Sequence, residues 1–163
     1  MDIQTSVRTC LQQKYMDFKG RASRSEFWWF VLVYVIGAVI ISLPGSYILS
    51  LIYGLAMFLP LSAAGARRLQ DTGRNGMLIF VPTGLSLIVQ YLLPRPSAAD
   101  MDALQSGDPA AAAEAMQQLA QSGNWGLIGL LGIVQLIVSL VFLWWLTRPS
   151  DPDTNTYGPQ PTA

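Results

Sequence analysis

The sequence predicts an all-α membrane protein, a four-transmembrane-helix bundle with an N-terminal amphipathic interfacial helix and a short helix in the outer loop. Three observations carry that prediction. No charged side chain occurs from Phe27 to Ala66, from Asn75 to Pro94 or from Ala115 to Thr147. A hydrocarbon core roughly 30 Å thick takes about 20 apolar helical residues to cross, so the first window holds two crossings and each of the others one. Charged residues are 12% of the chain and hydrophobic ones 52%, and the charges are gathered into short blocks between the windows; about twice that charged share is usual in a soluble domain.

The elements follow from caps and breakers. Ile3, Val7, Leu11, Tyr15 and Phe18 recur every three or four residues with Arg8, Gln12, Lys14 and Lys19 on other faces, so residues 1–19 read as an amphipathic helix on the inner leaflet. This stretch lacks the short apolar run of a signal peptide, and the first crossing is expected to do the targeting. Ser23-Arg24-Ser25-Glu26 has the capping-box pattern, placing the first crossing at about 27–43, before the turn signal Pro44-Gly45. The second is expected at about 47–66 with a kink at Pro60, whose freed carbonyl a neighbouring group can satisfy. Arg67 to Gly76 reads as a basic loop. The third crossing is expected at about 77–93, ended by Pro94-Arg95-Pro96, and the fourth at about 126–146. Between them lies the outer loop 94–125, where Asp108 caps a helix starting at Pro109 and Gly123 stops it; Ser97 to Gln105 could form another. The membrane domain thus spans 20–149, and the tail 150–163, rich in Pro, Asp, Asn and Gly, is expected to be extended and coreless.

Orientation follows from the basic residues. Arg8, Lys14, Lys19, Arg21, Arg24, Arg67, Arg68, Arg74 and Arg148 fall on one side and Arg95 alone on the other, which puts both termini in the cytoplasm. The outer loop carries Asp100, Asp102, Asp108 and Glu114. Trp28, Trp29, Trp144 and Trp145 then mark the inner interface and Trp125 the outer one.

Chemistry is sparse. Histidine is absent, which removes the commonest metal ligand, and Cys10 is the only cysteine, so no intrachain disulfide forms. No metal site, cofactor, catalytic constellation or nucleic-acid surface is expected. The crossings hold no ionisable residue, which argues against a proton-coupled pump; their polar exceptions are Gln90 and Gln135. Ser46, Ser50 and Gly54 form one small-residue face and Gly126, Gly129 and Gly132, with Gln135 beyond them, another; such faces pack helices closely, either internally or against a partner. The one dense polar site is at the inner face. There Arg21, Arg24 and Glu26 would meet Arg67, Arg68, Asp71 and Arg74, as a salt-bridge network tying the loop to the first crossing or as a site for an anionic lipid headgroup or phosphate.

Three motifs also carry a resemblance. Lys14-Tyr15-Met16-Asp17-Phe18-Lys19-Gly20-Arg21-Ala22-Ser23-Arg24-Ser25-Glu26-Phe27-Trp28, the segment Arg67 to Gly76, and Pro149-Ser150-Asp151-Pro152-Asp153-Thr154-Asn155-Thr156-Tyr157-Gly158-Pro159 together resemble the bacterial inner-membrane family called domain of unknown function 805. The outer loop, about 95–124, is longer than that family suggests. Gln70 stands where the family usually has histidine and Met77 where it usually has tryptophan, so a histidine-linked proton or metal role is not expected here. The resemblance implies a small multi-pass protein of the bacterial inner membrane and no established activity. The leading expectation is a non-enzymatic accessory or scaffold subunit of a larger membrane complex, in a bilayer with anionic lipids at its inner face. The alternatives are a small transporter or channel, with Gln135, Gln90 and the Pro60 and Pro82 kinks lining a path, and an anionic-lipid-binding protein.

Overall fold

A computed structural model describes residues 1–161, and every described element is helical. In chain order these are α1 (Ile3–Arg8), a π-helical turn (Thr9–Gln13), α2 (Arg24–Ser42), α3 (Tyr47–Asp71), a 3-10 turn (Gly76–Ile79), α4 (Phe80–Leu92), α5 (Ala98–Gln105), α6 (Pro109–Ser122) and α7 (Trp125–Thr147). The chain forms two compact units. One comprises Met1–Val81 and the chain from Leu140 onward, the other Pro82–Ser139.

Among the described residues three helices are long and apolar enough to cross a membrane: α2, α3 and α7, with 19, 25 and 23 residues. At 1.5 Å per residue they are roughly 28, 37 and 34 Å long. The third expected crossing is the shorter apolar stretch Gly76–Leu92, which opens with the 3-10 turn and is roughly 27 Å long.

In the first unit, Cys10, Phe27, Phe30 and Ala64 form a buried cluster flanked by Leu11, Trp28, Val31, Met57, Leu61 and Leu146. The first segment differs from the single helix expected over 1–19, since α1 ends at Arg8 and a π turn follows. Its inward face is also the small polar one. Ser6, Thr9 and Cys10 are buried and Ser6 Oγ donates to Glu26 O at 2.5 Å, whereas Ile3, Val7 and Leu11 line an open outward groove. Small side chains let this segment approach α2 closely; of the apolar stripe, Leu11 also touches the buried cluster and Ile3 is exposed. Ser23 Oγ accepts from Glu26 N at 3.2 Å, but the box is half made, because Glu26 pairs with Arg67 instead of returning to the cap amide.

Along α2 and α3 the Tyr34 and Tyr53 rings stack at 5.8 Å, and Tyr53 Oη donates to Tyr34 O at 2.9 Å. Gly37 makes room for this, since a Cβ there would overlap the Tyr53 phenol. The proline in α3 has a partner as well. Pro60 cannot donate to Ala56 O, and Tyr15 Oη does so at 2.5 Å from 41 residues away. At its C-terminal end α3 runs five residues past the expected boundary. Arg67, Arg68 and Asp71 are therefore its last turns and not a loop, and from Ala63 to Asp71 every residue is buried.

In the second unit α5 starts on a complete capping box between Ser97 and Asp100, and the Ser97 hydroxyl and amide hold the Asp100 carboxyl below its usual range. Asp108 caps α6 with Pro109 in its first turn, and Ala115 is buried. Trp125 Nε1 donates to Ala120 O at 2.7 Å across the α6–α7 turn.

Candidate functional site

The dense polar site is a clasp in the first unit, where the start of α2, the end of α3, the end of α7 and the tail meet. Arg21, Glu26, Arg67, Arg68 and Asp71 are all buried, and Arg67, Arg68 and Asp71 have no exposed surface. Charges can sit there only because each finds opposite charge or oxygen partners. Asp71 takes Arg21 Nε at 2.9 Å on Oδ1 and the Arg68 guanidinium on Oδ2. Glu26 takes Arg67 at 3.0 Å.

Each guanidinium then finds further oxygens. Arg67 donates to Lys14 O at 3.3 Å and Asp17 O at 3.2 Å, and lies 3.8 Å from Cys10 Sγ. Arg68 donates to Leu146 O at 3.0 Å, Ala22 O at 3.3 Å and Arg148 O, so it caps the last carbonyls of α7 while anchored on α3. Backbone pairing closes the joint, with Ala22 N donating to Arg67 O at 3.2 Å.

Arg21 holds the tail. Its NH1 donates to Asp153 O at 2.8 Å and Gly158 O at 3.2 Å, and its NH2 to Asp151 O at 2.5 Å and Asp71 O at 3.4 Å. The tail folds into a tight turn in which Asn155 and Gly158 pair through both backbone bonds. Asp151 N donates to Asp71 O at 3.1 Å and Asn155 Nδ2 to Gln70 O at 2.9 Å. After α3 the chain turns through Gly73 at φ +75°, a conformation suited to glycine, and a Cβ there would come within 3.1 Å of the Asp151 carboxylate.

Arg24 and Arg74 stand outside the ion pairs. Arg24 is exposed, and Arg74 lies 4.9 Å over the Trp145 ring while donating to Thr72 O at 3.2 Å. Gln70 lies inside. Its Nε2 donates to Phe18 O at 2.9 Å, so the amide serves as a donor at this buried position, while Oε1 has no partner among the described residues. Burial pushes the Cys10 thiol up to about 11, against an opposing pull from Arg67. The resemblance had marked the 149–159 segment as a motif, but residue pattern could not join Asn155 and the tail carbonyls to the arginines, because the contacts are long-range and backbone groups carry no residue code.

Of the small-residue faces, Ser46, Ser50 and Gly54 take no part in this network, and Gly126, Gly129, Gly132 and Gln135 belong to the second unit. Ser46 caps α3, accepting from Leu49 N at 3.4 Å, and Ser50 Oγ donates to Ser46 O at 3.2 Å. Within their own units, a Cβ on Gly54, Gly129 or Gly132 meets nothing within 4 Å, and one on Gly126 meets only Asn124 Oδ1 at 3.8 Å. Gln135 Nε2 pairs with Ser139 Oγ at 3.3 Å along α7, and Gln90 is exposed. Among the described residues no group of His, Cys, Asp and Glu is arranged to hold a metal ion.

The comparisons agree with this picture of apolar helices. The family model described as Protein of unknown function (DUF805) matches residues 15–159. Inner membrane protein YhaI of Escherichia coli strain K12 is 44% identical over 80 residues, covering 43% of this chain and 67% of the relative. Inner membrane protein YhaH of the same strain is 37% identical over 83 residues, covering 43% and 69%. No solved structure matches. The family match runs from the tyrosine that satisfies the Pro60 kink to the end of the docked tail turn, and this integral membrane protein belongs to the DUF805 family.

Proposed function

We propose that the protein is a non-enzymatic accessory or scaffold subunit of a larger complex in the bacterial inner membrane, with four crossings and both termini in the cytoplasm. The observation that supports this best is the clasp. Arg68, at the end of α3, bonds Ala22 before α2 and Leu146 and Arg148 at the end of α7, so these three ends lie on one side of the bilayer. With α2 leaving that side and α3 returning to it, α7 can end there only if the chain crosses once more between Thr72 and Asn124. The Gly76–Leu92 stretch is the apolar segment available for that crossing. At roughly 27 Å it falls slightly short of the hydrocarbon core, which suits an upright crossing with local thinning of the bilayer. The short 3-10 turn also lets it begin beside α3. In this arrangement α5 and α6 form the outer loop with its acidic residues, and the groove lined by Ile3, Val7 and Leu11 rests on the inner leaflet.

The clasp also bears on role. The ionised groups buried in the first unit are committed to one another and to backbone carbonyls that hold helix ends together, an arrangement suited to a joint and not to a path for a solute. The surfaces left for function are helix faces, and the glycine faces at Gly54 and at Gly129 and Gly132 are open within their units to the close approach of another helix. Extraction into polymer-bounded native discs followed by mass spectrometry tests the reading. A stoichiometric membrane partner that is lost in Gly129→Leu/Gly132→Leu supports it. A homo-oligomer that conducts a solute in liposomes replaces it with the transporter reading, in which the pairing of Gln135 with Ser139 would mark a polar position on the path.

A further inference from the structure

We propose that the outward fork of Arg21 is a binding site for a phosphate group, a monoester or diester oxyanion, and that the protein's own tail holds it shut. Three guanidiniums, Arg21, Arg67 and Arg68, are buried with two carboxylates, Glu26 and Asp71, which leaves one positive charge in excess. Backbone oxygens, which carry no full charge, offset that excess. The tail's acidic residues do not do so: Asp151 and Asp153 offer Arg21 their carbonyls, and neither carboxylate forms an ion pair among the described residues.

The geometry at Arg21 assigns the site. Its Nε is fixed by Asp71 Oδ1 at 2.9 Å, so the plane of the guanidinium is set from behind. Both NH1 bonds and the shorter NH2 bond go to the tail, to Asp153 O, Gly158 O and Asp151 O. When the tail lifts away, NH1 and NH2 present a parallel pair of donors, the end-on fork that matches two oxygens of a phosphate. Arg68 NH1, which reaches Ser150 Oγ at 3.5 Å, would stand beside it. An oxyanion there would supply the missing countercharge, which carbonyls cannot, whereas the tail competes through the number and proximity of its bonds. Tail docking and anion binding are therefore mutually exclusive, and each weakens the other by linkage.

Amide exchange of residues 150–161 in the full chain reads the tail directly. The protein is held in maltoside micelles free of phosphate, then supplied with inorganic phosphate or with phosphatidylglycerol, each against sodium chloride at matched ionic strength. With the anion at ~10 times its Kd, the ratio of docked to released tail falls about tenfold and exchange speeds up accordingly. A response to phosphate alone identifies a free phosphate ligand, and a response to phosphatidylglycerol alone a lipid headgroup. In Asn155→Ala, which loses the side-chain bond to Gln70 O and leaves Arg21 intact, the anion concentration for half-release drops about threefold or more. In Arg21→Lys, which keeps the charge and loses the fork, the response disappears. The proposal is overturned by tail exchange that neither anion changes in the wild-type chain or Asn155→Ala, by a response that survives Arg21→Lys, or by a tail already fully exchanged without phosphate.

Discussion

Replacing Asp71 by asparagine removes the one carboxylate shared by two buried guanidiniums, Arg21 on Oδ1 and Arg68 on Oδ2. Both arginines stay buried in the variant, and the asparagine NH2 turns a donor toward at least one of them. Breaking a buried pair from one side costs about 3–5 kcal/mol, because the partner charge is left uncompensated. Two partners share the loss here, which places Asp71→Asn at the upper part of that range. For a chain of this size each kcal/mol moves Tm by about 2–4 °C, so the expected fall is roughly 10–20 °C. The assay is thermal unfolding of purified protein in maltoside, followed by tryptophan fluorescence. Asp151→Asn is the control: that residue bonds Arg21 and Asp71 through its backbone, so its carboxylate can be neutralised at a cost below about 1 kcal/mol. Equal Tm values for the two variants would refute the reasoning, since they would show that Asp71 carries no more than a surface charge does.

Three further outcomes follow from the geometry. Tyr15→Phe strands Ala56 O beside Pro60 and is expected to cost about 1–3 kcal/mol in the same unfolding assay, while Pro60→Ala, which restores the helical donor, recovers most of it. Gly76→Ala places a Cβ 2.5 Å from Gln70 Nε2 and 3.0 Å from Ala66 O, so it is expected to lower Tm, whereas Gly84→Ala, with nothing within 4 Å, leaves Tm equal or higher. Cys10, with no exposed surface and a thiol raised to about 11, should react with maleimide at neutral pH only after unfolding. Because its folded pKa lies above the unfolded value, the stability it lends is present below about pH 8.5 and is lost as pH rises through about 11; Cys10→Ala should flatten that alkaline fall.

The apolar windows were legible because a bilayer imposes length and hydropathy on a sequence without reference to any other residue. α2 and α7 accordingly begin and end close to the expected positions. The end of α3 was not, since Arg67 and Arg68 look like a loop until Leu146 O, Arg148 O and Glu26 are brought to them, and only tertiary contacts make an arginine pair affordable inside a helix. Ser23 announced the start of α2 correctly, while Glu26, local in pattern, found its partner 41 residues away. The N-terminal stripe illustrates a different limit. Its apolar period marked a helix face, but periodicity does not say whether that face meets the protein or another surface, and here the buried side is Ser6, Thr9 and Cys10. The tail, read as extended and coreless, instead folds back in a tight turn between Asn155 and Gly158 and docks through hydrogen bonds to which it contributes backbone carbonyls and the Asn155 amide.

In the proposed arrangement the clasp gathers the start of α2 and the ends of α3 and α7 on one side of the membrane, and the Gly76–Leu92 stretch supplies the remaining crossing. Cysteine accessibility tests it most directly, with Ser106→Cys, in the turn between α5 and α6, and Thr156→Cys, in the tail, each placed in a Cys10→Ala background and probed with an impermeant maleimide. The expected result is labelling at 106 in intact cells and at 156 only in inverted membrane vesicles. Labelling of both positions from the same side would contradict the fourth crossing and the reading built on it.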